Sequence, residues 1–241
     1  MRLTRVYVPV PLAGLATLQL PEGPSGHLAR VLRLEVGAAL TLFDGRGGEY
    51  AASITAIAKQ GVSVSLGAHQ AVERESPLSI TLLQGISRGE RMDLIVQKAT
   101  ELGARRLRPV ITARTIAERV NLERMRANVV EAAEQCNLVF VPEVLEPVSL
   151  NAALRDWDAG RALIYCDEVA EKGGAVAALS RLKTPAAVLV GPEGGFTVEE
   201  RAMLKALPYV TAISLGPRIM RADTAGVAVM TLAQAVLGDW G

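Results

Sequence analysis

The chain has 241 residues, 50% of them hydrophobic and 21% charged, with a formal net charge of +1. That length fits one large domain or two small ones, and that hydrophobic share is ample for a packed core. Two cysteines, Cys136 and Cys166, and two histidines, His27 and His69, exclude a disulfide framework and a zinc cluster, so no metal is expected. Met1-Arg2-Leu3-Thr4-Arg5 opens without the apolar run of a signal peptide, and the apolar stretch Ala225 to Gly238 is too short to span a bilayer. These features predict a cytoplasmic protein with no membrane association.

In chain order, residues 3–8, 39–43, 49–57 and 61–66 alternate apolar with small or polar side chains, and Asp44-Gly45-Arg46-Gly47-Gly48 reads as a turn between two of these strands. The pattern predicts a small β-barrel over residues 1–73, with His27 to Arg33 as a short inserted helix. Gly67 to Pro77 loses periodicity and gathers charge, as a linker does. From Leu78 the pattern changes, and a second domain is expected over residues 74–241. Strands are predicted near 79–84, 107–111, 161–165, 186–190 and 210–214, alternating with helices near 89–103, 121–137, 173–182, 197–206 and 223–238. That alternation predicts an α/β fold with a mostly parallel sheet covered on both faces.

In the helix after Arg88, Met92, Ile95, Val96, Ala99 and Leu102 form the buried stripe. Lys98 and Glu101 fall elsewhere on the wheel, either as a surface pair or as part of a cleft. Charge is unevenly spread: residues 74–126 hold 11 basic against 6 acidic side chains, while residues 127–241 hold 9 against 14. A basic band is the footprint of phosphate contacts, and a solvated helix face is the plainer alternative.

Two glycine-rich segments carry the chemistry. Gly191-Pro192-Glu193-Gly194-Gly195-Phe196-Thr197 follows the apolar run Ala186 to Val190, and Leu215-Gly216-Pro217-Arg218-Ile219-Met220-Arg221-Ala222-Asp223-Thr224-Ala225 follows Val210 to Ser214. If both runs are parallel strands, both loops emerge at the ligand-binding edge of one sheet. Glycine there admits positive φ and close approach of backbone N–H groups to a nucleotide-like ligand. Neither segment has the spacing of a Rossmann or Walker loop. Two tight connections with no ligand remain the plain alternative.

These segments resemble the RsmE family, SPOUT-class methyltransferases that act on a uridine of small-subunit ribosomal RNA. His27-Leu28-Ala29-Arg30-Val31-Leu32-Arg33, Phe43-Asp44-Gly45-Arg46-Gly47, Gln97-Lys98-Ala99-Thr100-Glu101-Leu102-Gly103 and Glu134-Gln135 resemble further family signatures, in family order over most of the chain. The resemblance implies a PUA-like RNA-binding barrel followed by a SPOUT trefoil-knotted sheet. It also implies S-adenosylmethionine as cofactor, a homodimer, and 16S ribosomal RNA in the small subunit as partner. Carried over residue by residue, the cofactor site comprises Val190, Gly191, Glu193, Gly194, Gly195, Ser214, Leu215, Gly216, Ile219, Met220 and Thr224.

The implied reaction is methyl transfer to N3 of a uracil, which carries a proton in the neutral base. Arg221 is the candidate for stabilising charge on a carbonyl oxygen, and Asp223, Glu193 or Glu101 for taking the proton. Asp223 is also expected to cap the last helix. Arg5, Arg30 and Arg33 in the first domain, and Arg88, Arg91 and Arg114 in the second, are the candidate RNA contacts. The chain departs from the family where Asn137-Leu138-Val139-Phe140 lacks the usual arginine, where Asp223 replaces glutamate, and where Met220 replaces leucine. A SPOUT enzyme for another RNA site, a non-catalytic RNA-binding homologue, and a small-molecule enzyme with a phosphate ligand are the alternative functions.

Overall fold

The computed structural model describes residues 3–72, 78–116, 119–170 and 174–240. The chain divides into two compact units: Met1–Glu75 with Ala133–Val141, and Ser76–Ala132 with Pro142–Gly241. That residues 133–141 join the first unit has no signal in the hydrophobic pattern.

In the first unit, β1 (Thr4–Tyr7), β2 (Thr17–Gln19), β3 (Ala39–Phe43), β4 (Gly48–Ala58) and β5 (Gly61–Val72) form one sheet in the order β1-β3-β4-β5-β2. β1 runs parallel to β3 and the remaining pairs are antiparallel. Strand alternation turns Leu40, Leu42, Ile54, Val62 and Val64 onto one buried face, which they share with Leu12, Leu20 and Leu28. The expected linker is strand as far as Val72, and residues 73–77 lie outside the described residues. Asp44 secures the β3–β4 turn: Oδ1 accepts the Arg46 N–H at 3.0 Å and Oδ2 the Leu12 N–H at 3.1 Å. The inserted helix is two pieces, α1 (Glu22–Gly26) and a π-helical turn over His27–Val31.

The second unit is built on β6 (Thr81–Gly85), β7 (Arg106–Ile111), β8 (Glu143–Val144), β9 (Val148–Ser149), β10 (Ala162–Cys166), β11 (Ala186–Val190) and β12 (Val210–Ile213). The order is β12-β10-β11-β6-β7-β8, with β9 also on β7, and every pair is parallel. Between the strands run α2 (Gly89–Glu101), α3 (Leu122–Gln135), α4 (Leu150–Arg155), α5 (Ala175–Leu179), α6 (Val198–Ala206) and α7 (Ala222–Leu237). The central strand β11 is buried at every position, which is why its sequence shows a continuous apolar run rather than alternation. On one face Leu83, Leu163, Tyr165, Ala187 and Leu189 pack with Leu150 and Leu154 of α4 and Leu204 of α6. On the other, α7 packs against β11, α2 and α5. The short elements β8, β9 and α4 are too brief to show a period and are missed by the sequence pattern.

Arg5 does not fit its expected role at an RNA phosphate. Its side chain is 7% exposed. The guanidinium donates to Glu49 Oε2 at 3.1 Å and to the carbonyls of Ala133, Glu134 and Leu138 at 3.1, 3.2 and 2.9 Å, and lies 4.5 Å from the Phe43 ring centroid. Glu134 in turn accepts the Tyr7 N–H at 2.8 Å. Arg5 therefore closes the carbonyl end of α3 against β1, satisfying carbonyls a helix end leaves open. Arg5→Ala is expected to cost about 2–4 kcal/mol of stability, because it strands Glu49 and several carbonyls together. A urea titration checks this, with Arg5→Lys restoring only part of the loss because an ammonium lacks the guanidinium fork; an unchanged midpoint for Arg5→Ala contradicts it.

Candidate active site

In a parallel sheet every carboxyl end leaves at the same edge, so the loops after β10, β11 and β12 are neighbours. There they enclose a cavity of about 540 Å³ within the second unit. Its wall includes Val190, Gly191, Glu193 and Gly195 from the first glycine segment, and Ser214, Leu215, Gly216, Ile219 and Met220 from the second. Two segments that are separate in sequence thus form one site. Gly194 and Thr224 are not in the wall. Gly194 instead offers its carbonyl to Arg114 Nη1 at 3.1 Å.

Each loop is held by its own contacts. The first ends in a capping box: Thr197 Oγ1 accepts the Glu200 N–H at 3.2 Å, and Glu200 Oε2 accepts the Thr197 N–H at 2.9 Å. Glu200 Oε1 accepts the Ala113 N–H at 2.8 Å, tying the loop to the segment after β7. Gly195 stands at φ 65, a backbone conformation that costs other residues strain. In the second loop Gly216 stands at φ 112, and its N–H and carbonyl both meet Ser214 Oγ at 3.3 Å.

Among the catalytic candidates, Arg221 and Glu193 line the cavity and Asp223 does not. Arg221 is exposed, with no side-chain partner among the described residues. It, rather than Asp223, occupies the N-cap position of α7. Asp223 lies two residues past the N-cap, too far into the helix to cap it, and its Oδ1 accepts the Thr224 N–H at 2.7 Å. Glu193 Oε1 meets Arg91 Nη1 at 3.3 Å and the Arg88 N–H at 3.4 Å. Glu101 is bound by Lys98 Nζ at 2.8 and 2.9 Å, which makes it the surface pair of the two readings, and it is not in the cavity wall.

Sequence reading missed the end of β10 altogether. Tyr165, Cys166, Asp167 and Glu168 line the cavity, as do Phe196 and Arg201. Asp167 has a fully buried side chain, 2.7 Å from Lys205 Nζ and 3.5 Å from Arg201 Nη1. Burial, with the nearby Asp167 carboxylate adding to it, pushes the Tyr165 phenol up, so it remains a neutral O–H. Burial pushes the Cys166 thiol up to about 12, which keeps it from acting as a nucleophile. A charged residue after a run such as Ala162 to Cys166 was the available signal. The segment has no glycine to mark an unusual backbone.

Of the proposed RNA contacts, Arg30, Arg33 and Arg88 are exposed. Arg91 and Arg114 do not stand free: the first pairs with Glu193 and the second supports Gly194, because the glycine loop supplies nearby acceptors. No metal-binding cluster of three or more His, Cys, Asp or Glu side chains occurs among the described residues, and none of their helices is long and apolar enough to cross a membrane.

The cavity's size is in the range of small-molecule sites, and its wall combines apolar Val190, Leu215 and Met220 with positive-φ glycine backbone and charged groups. The Tyr165 hydroxyl and Arg201 Nε are buried there with no hydrogen-bond partner among the described residues. Such a wall fits a ligand with one apolar flat part and one charged end, as S-adenosylmethionine has.

Comparison with known proteins agrees in extent. The RNA methyltransferase domain family matches residues 74–234, and the RNA methyltransferase PUA domain family matches residues 25–67. Ribosomal RNA small subunit methyltransferase E of Rickettsia conorii is 31% identical over 98% of this chain and 96% of its own length. The enzyme of the same name from Neisseria gonorrhoeae, solved bound to S-adenosylmethionine, superposes with a TM-score of 0.89 at 34% identity, covering 100% of both chains. A Legionella pneumophila methyltransferase structure with bound S-adenosylmethionine also gives 0.89, at 33% identity over 99% of this chain and 100% of that one. The N-terminal sheet is thus PUA-like, the parallel sheet is the methyltransferase part, and the chain belongs to the ribosomal RNA small subunit methyltransferase E family.

Proposed function

We propose that this chain is an S-adenosylmethionine-dependent methyltransferase that modifies N3 of a uridine in 16S ribosomal RNA within the small subunit. Residues 74–241 carry the reaction and residues 1–73 bind RNA. The observation that carries this reading is the single cavity formed by both glycine loops, with Arg221 and Glu193 in its wall.

The bound cofactor supplies an electrophilic methyl group on a sulfonium. Val190, Gly191, Gly195, Ser214, Leu215, Gly216, Ile219 and Met220 hold it, the apolar side chains against the adenine and the loop backbone against its polar edge. Gly194 and Thr224 act from behind, by shaping the loop and the start of α7. N3 of uracil gives up a proton as its new bond to carbon forms. Arg221, which has no side-chain partner among the described residues, meets the carbonyl oxygen on which negative charge grows. Glu193 takes the proton: Arg91 and the Arg88 N–H both engage Oε1, leaving Oε2 as the basic oxygen at the wall. Asp223 supports this arrangement from the first turn of α7, where a negative charge also suits the helix dipole.

Arg30 and Arg33 on the first unit, and Arg88 on the second, are exposed cations that we assign to RNA phosphates. We also infer a homodimer; α7 supports it, since its one charged residue is Asp223 and its Val227, Ala228, Leu232 and Leu237 are partly exposed. Beside it Ile219 is 86% exposed. An apolar surface of this kind on a cavity rim suits a second copy of the chain.

Sedimentation is expected to find a dimer at micromolar concentration, and an active monomer contradicts this assembly. Gly195→Ala places a side chain at a left-handed position, a strain of about 1–2 kcal/mol, and Gly195→Val more. Calorimetry is expected to show weakened cofactor binding by a folded protein; unchanged affinity removes the first loop from the site. With labelled S-adenosylmethionine and small ribosomal subunits, the wild-type chain is expected to methylate one uridine at N3. Arg221→Ala should lower turnover by about 10²–10³ with little change in RNA affinity. Arg33→Ala should instead weaken RNA binding and reduce its salt dependence by roughly one counterion. Methylation at another atom or base, or normal turnover by Arg221→Ala, overturns the corresponding assignment.

A further inference from the structure

The turn that joins β3 to β4 is not in the cavity wall, and within Gly45-Arg46-Gly47-Gly48 the one side chain is that of Arg46. The glycines on either side press onto the first unit. A Cβ on Gly45 would lie 3.1 Å from the Tyr7 ring and 3.2 Å from Val141, one on Gly47 would strike the Phe140 ring at 2.6 Å, and the Gly47 N–H donates to the Val139 carbonyl at 3.2 Å. Both stand at positive φ, 73 and 105. The turn therefore lies flat on its own unit and lifts Arg46 into solvent, exposed and with no side-chain partner among the described residues.

The carboxylates around it are already engaged. Asp44 accepts the Arg46 N–H on one oxygen and the Leu12 N–H on the other, and Glu49 is paired with Arg5. An uncompensated cation between glycines, where another backbone can come close, suits a phosphate. Four residues on from Arg46, within about 14 Å, β4 carries Tyr50. Opposite it on β5 is His69, with ring centroids 5.0 Å apart and planes inclined at 54°. The β4–β5 register shifts on both sides of this pair, between Glu49 and Tyr50 and between Tyr50 and Ala52, and such bulges re-aim side chains. Tyr50 is partly buried against the apolar face of the sheet, while His69 is exposed. One ring is thus anchored and the other is open to solvent.

We propose that this end of the first unit is a further RNA contact, in which His69, backed by Tyr50, stacks on an unpaired base and Arg46 meets an adjoining phosphate. This rests on the RNA reading above. Arg30 and Arg33 precede β3 and Arg46 follows it, so a strand about 16 Å long separates this contact from theirs. A duplex hides the faces of its bases between their neighbours, so an open ring selects a base that has left the stack. Stacking tolerates any base, and Arg46 reads charge alone; the surface therefore recognises a loop or strand end rather than a sequence.

Binding of the full chain to small ribosomal subunits, followed across a range of salt, tests this surface. His69→Ala should weaken binding about 5–100-fold, the effect of one lost base–aromatic stack, with its salt dependence unchanged. His69→Phe keeps a flat ring without the imidazole nitrogens and should bind within about threefold of wild type. Arg46→Ala should lower the slope of log affinity against log salt by about 0.7, as one phosphate of a single strand requires. Both side chains are exposed, and the Arg46 N–H that Asp44 holds survives the substitution, so the fold is kept. Unchanged affinity for His69→Ala overturns the stack, as does a failure of His69→Phe to restore binding. A reduced salt slope for His69→Ala makes the ring a charge contact and overturns it too. An unchanged slope for Arg46→Ala overturns the phosphate contact. A wild-type chain that does not bind small subunits overturns the RNA reading itself, which separates that failure from failure of this surface.

Discussion

The parallel pairing of β12, β10 and β11 is the constraint on which the site depends. Parallel strands cannot be joined by hairpins, so each connection crosses the sheet, and all three carboxyl ends arrive at one edge about a strand spacing apart. Residues near 167, 193 and 216 thereby meet in one cavity despite their distance in sequence. The fully buried strand β11 anchors this edge, because it fixes the register of its neighbours through apolar contacts on both faces.

Much of the charge at the cavity is organised in pairs, while two arginines of its wall, Arg218 and Arg221, have no side-chain partner among the described residues. Arg91 is matched to Glu193, and Arg201 and Lys205 are matched to Asp167 and Glu168. Of these two, Arg221 stands at the start of α7, at its N-cap. Donors already held by neighbours need little reorganisation when a ligand arrives, which is how a polar site works in a partly dry cavity. A free guanidinium is different: it is available for charge that appears only during reaction. The same distinction separates the arginines expected at RNA, since the side chains of Arg30, Arg33 and Arg88 have no partner among the described residues while Arg5 and Arg114 serve the chain's own carbonyls.

The elements that sequence revealed are those whose period is long enough to register. In α2 the stripe Met92, Ile95, Val96 and Ala99 is buried as its spacing predicts, and the runs at 186–190 and 210–213 are strands. β2, β8, β9 and α4 are two to six residues long and carry no usable period. Site residues were legible where glycine marks an unusual backbone, as at Gly195 and Gly216. They were not legible at Tyr165, Asp167 and Arg201, whose significance comes from strand order, a property no local pattern contains. Arg5 failed for a related reason: whether an arginine faces solvent or a helix end is decided by residues far along the chain.

The buried Asp167 argues against reading its cluster as a device for stability. Removing a carboxylate from water costs several kcal/mol even after relaxation, and a hydrophobic replacement of like volume is often at least as stable. Apolar packing was available, since Phe196 and Leu204 belong to the same core as Tyr165. What an apolar residue cannot do is hold the Arg201 guanidinium at a fixed place in the cavity wall. The arrangement is thus better explained by what it presents to the cavity than by what it adds to the fold.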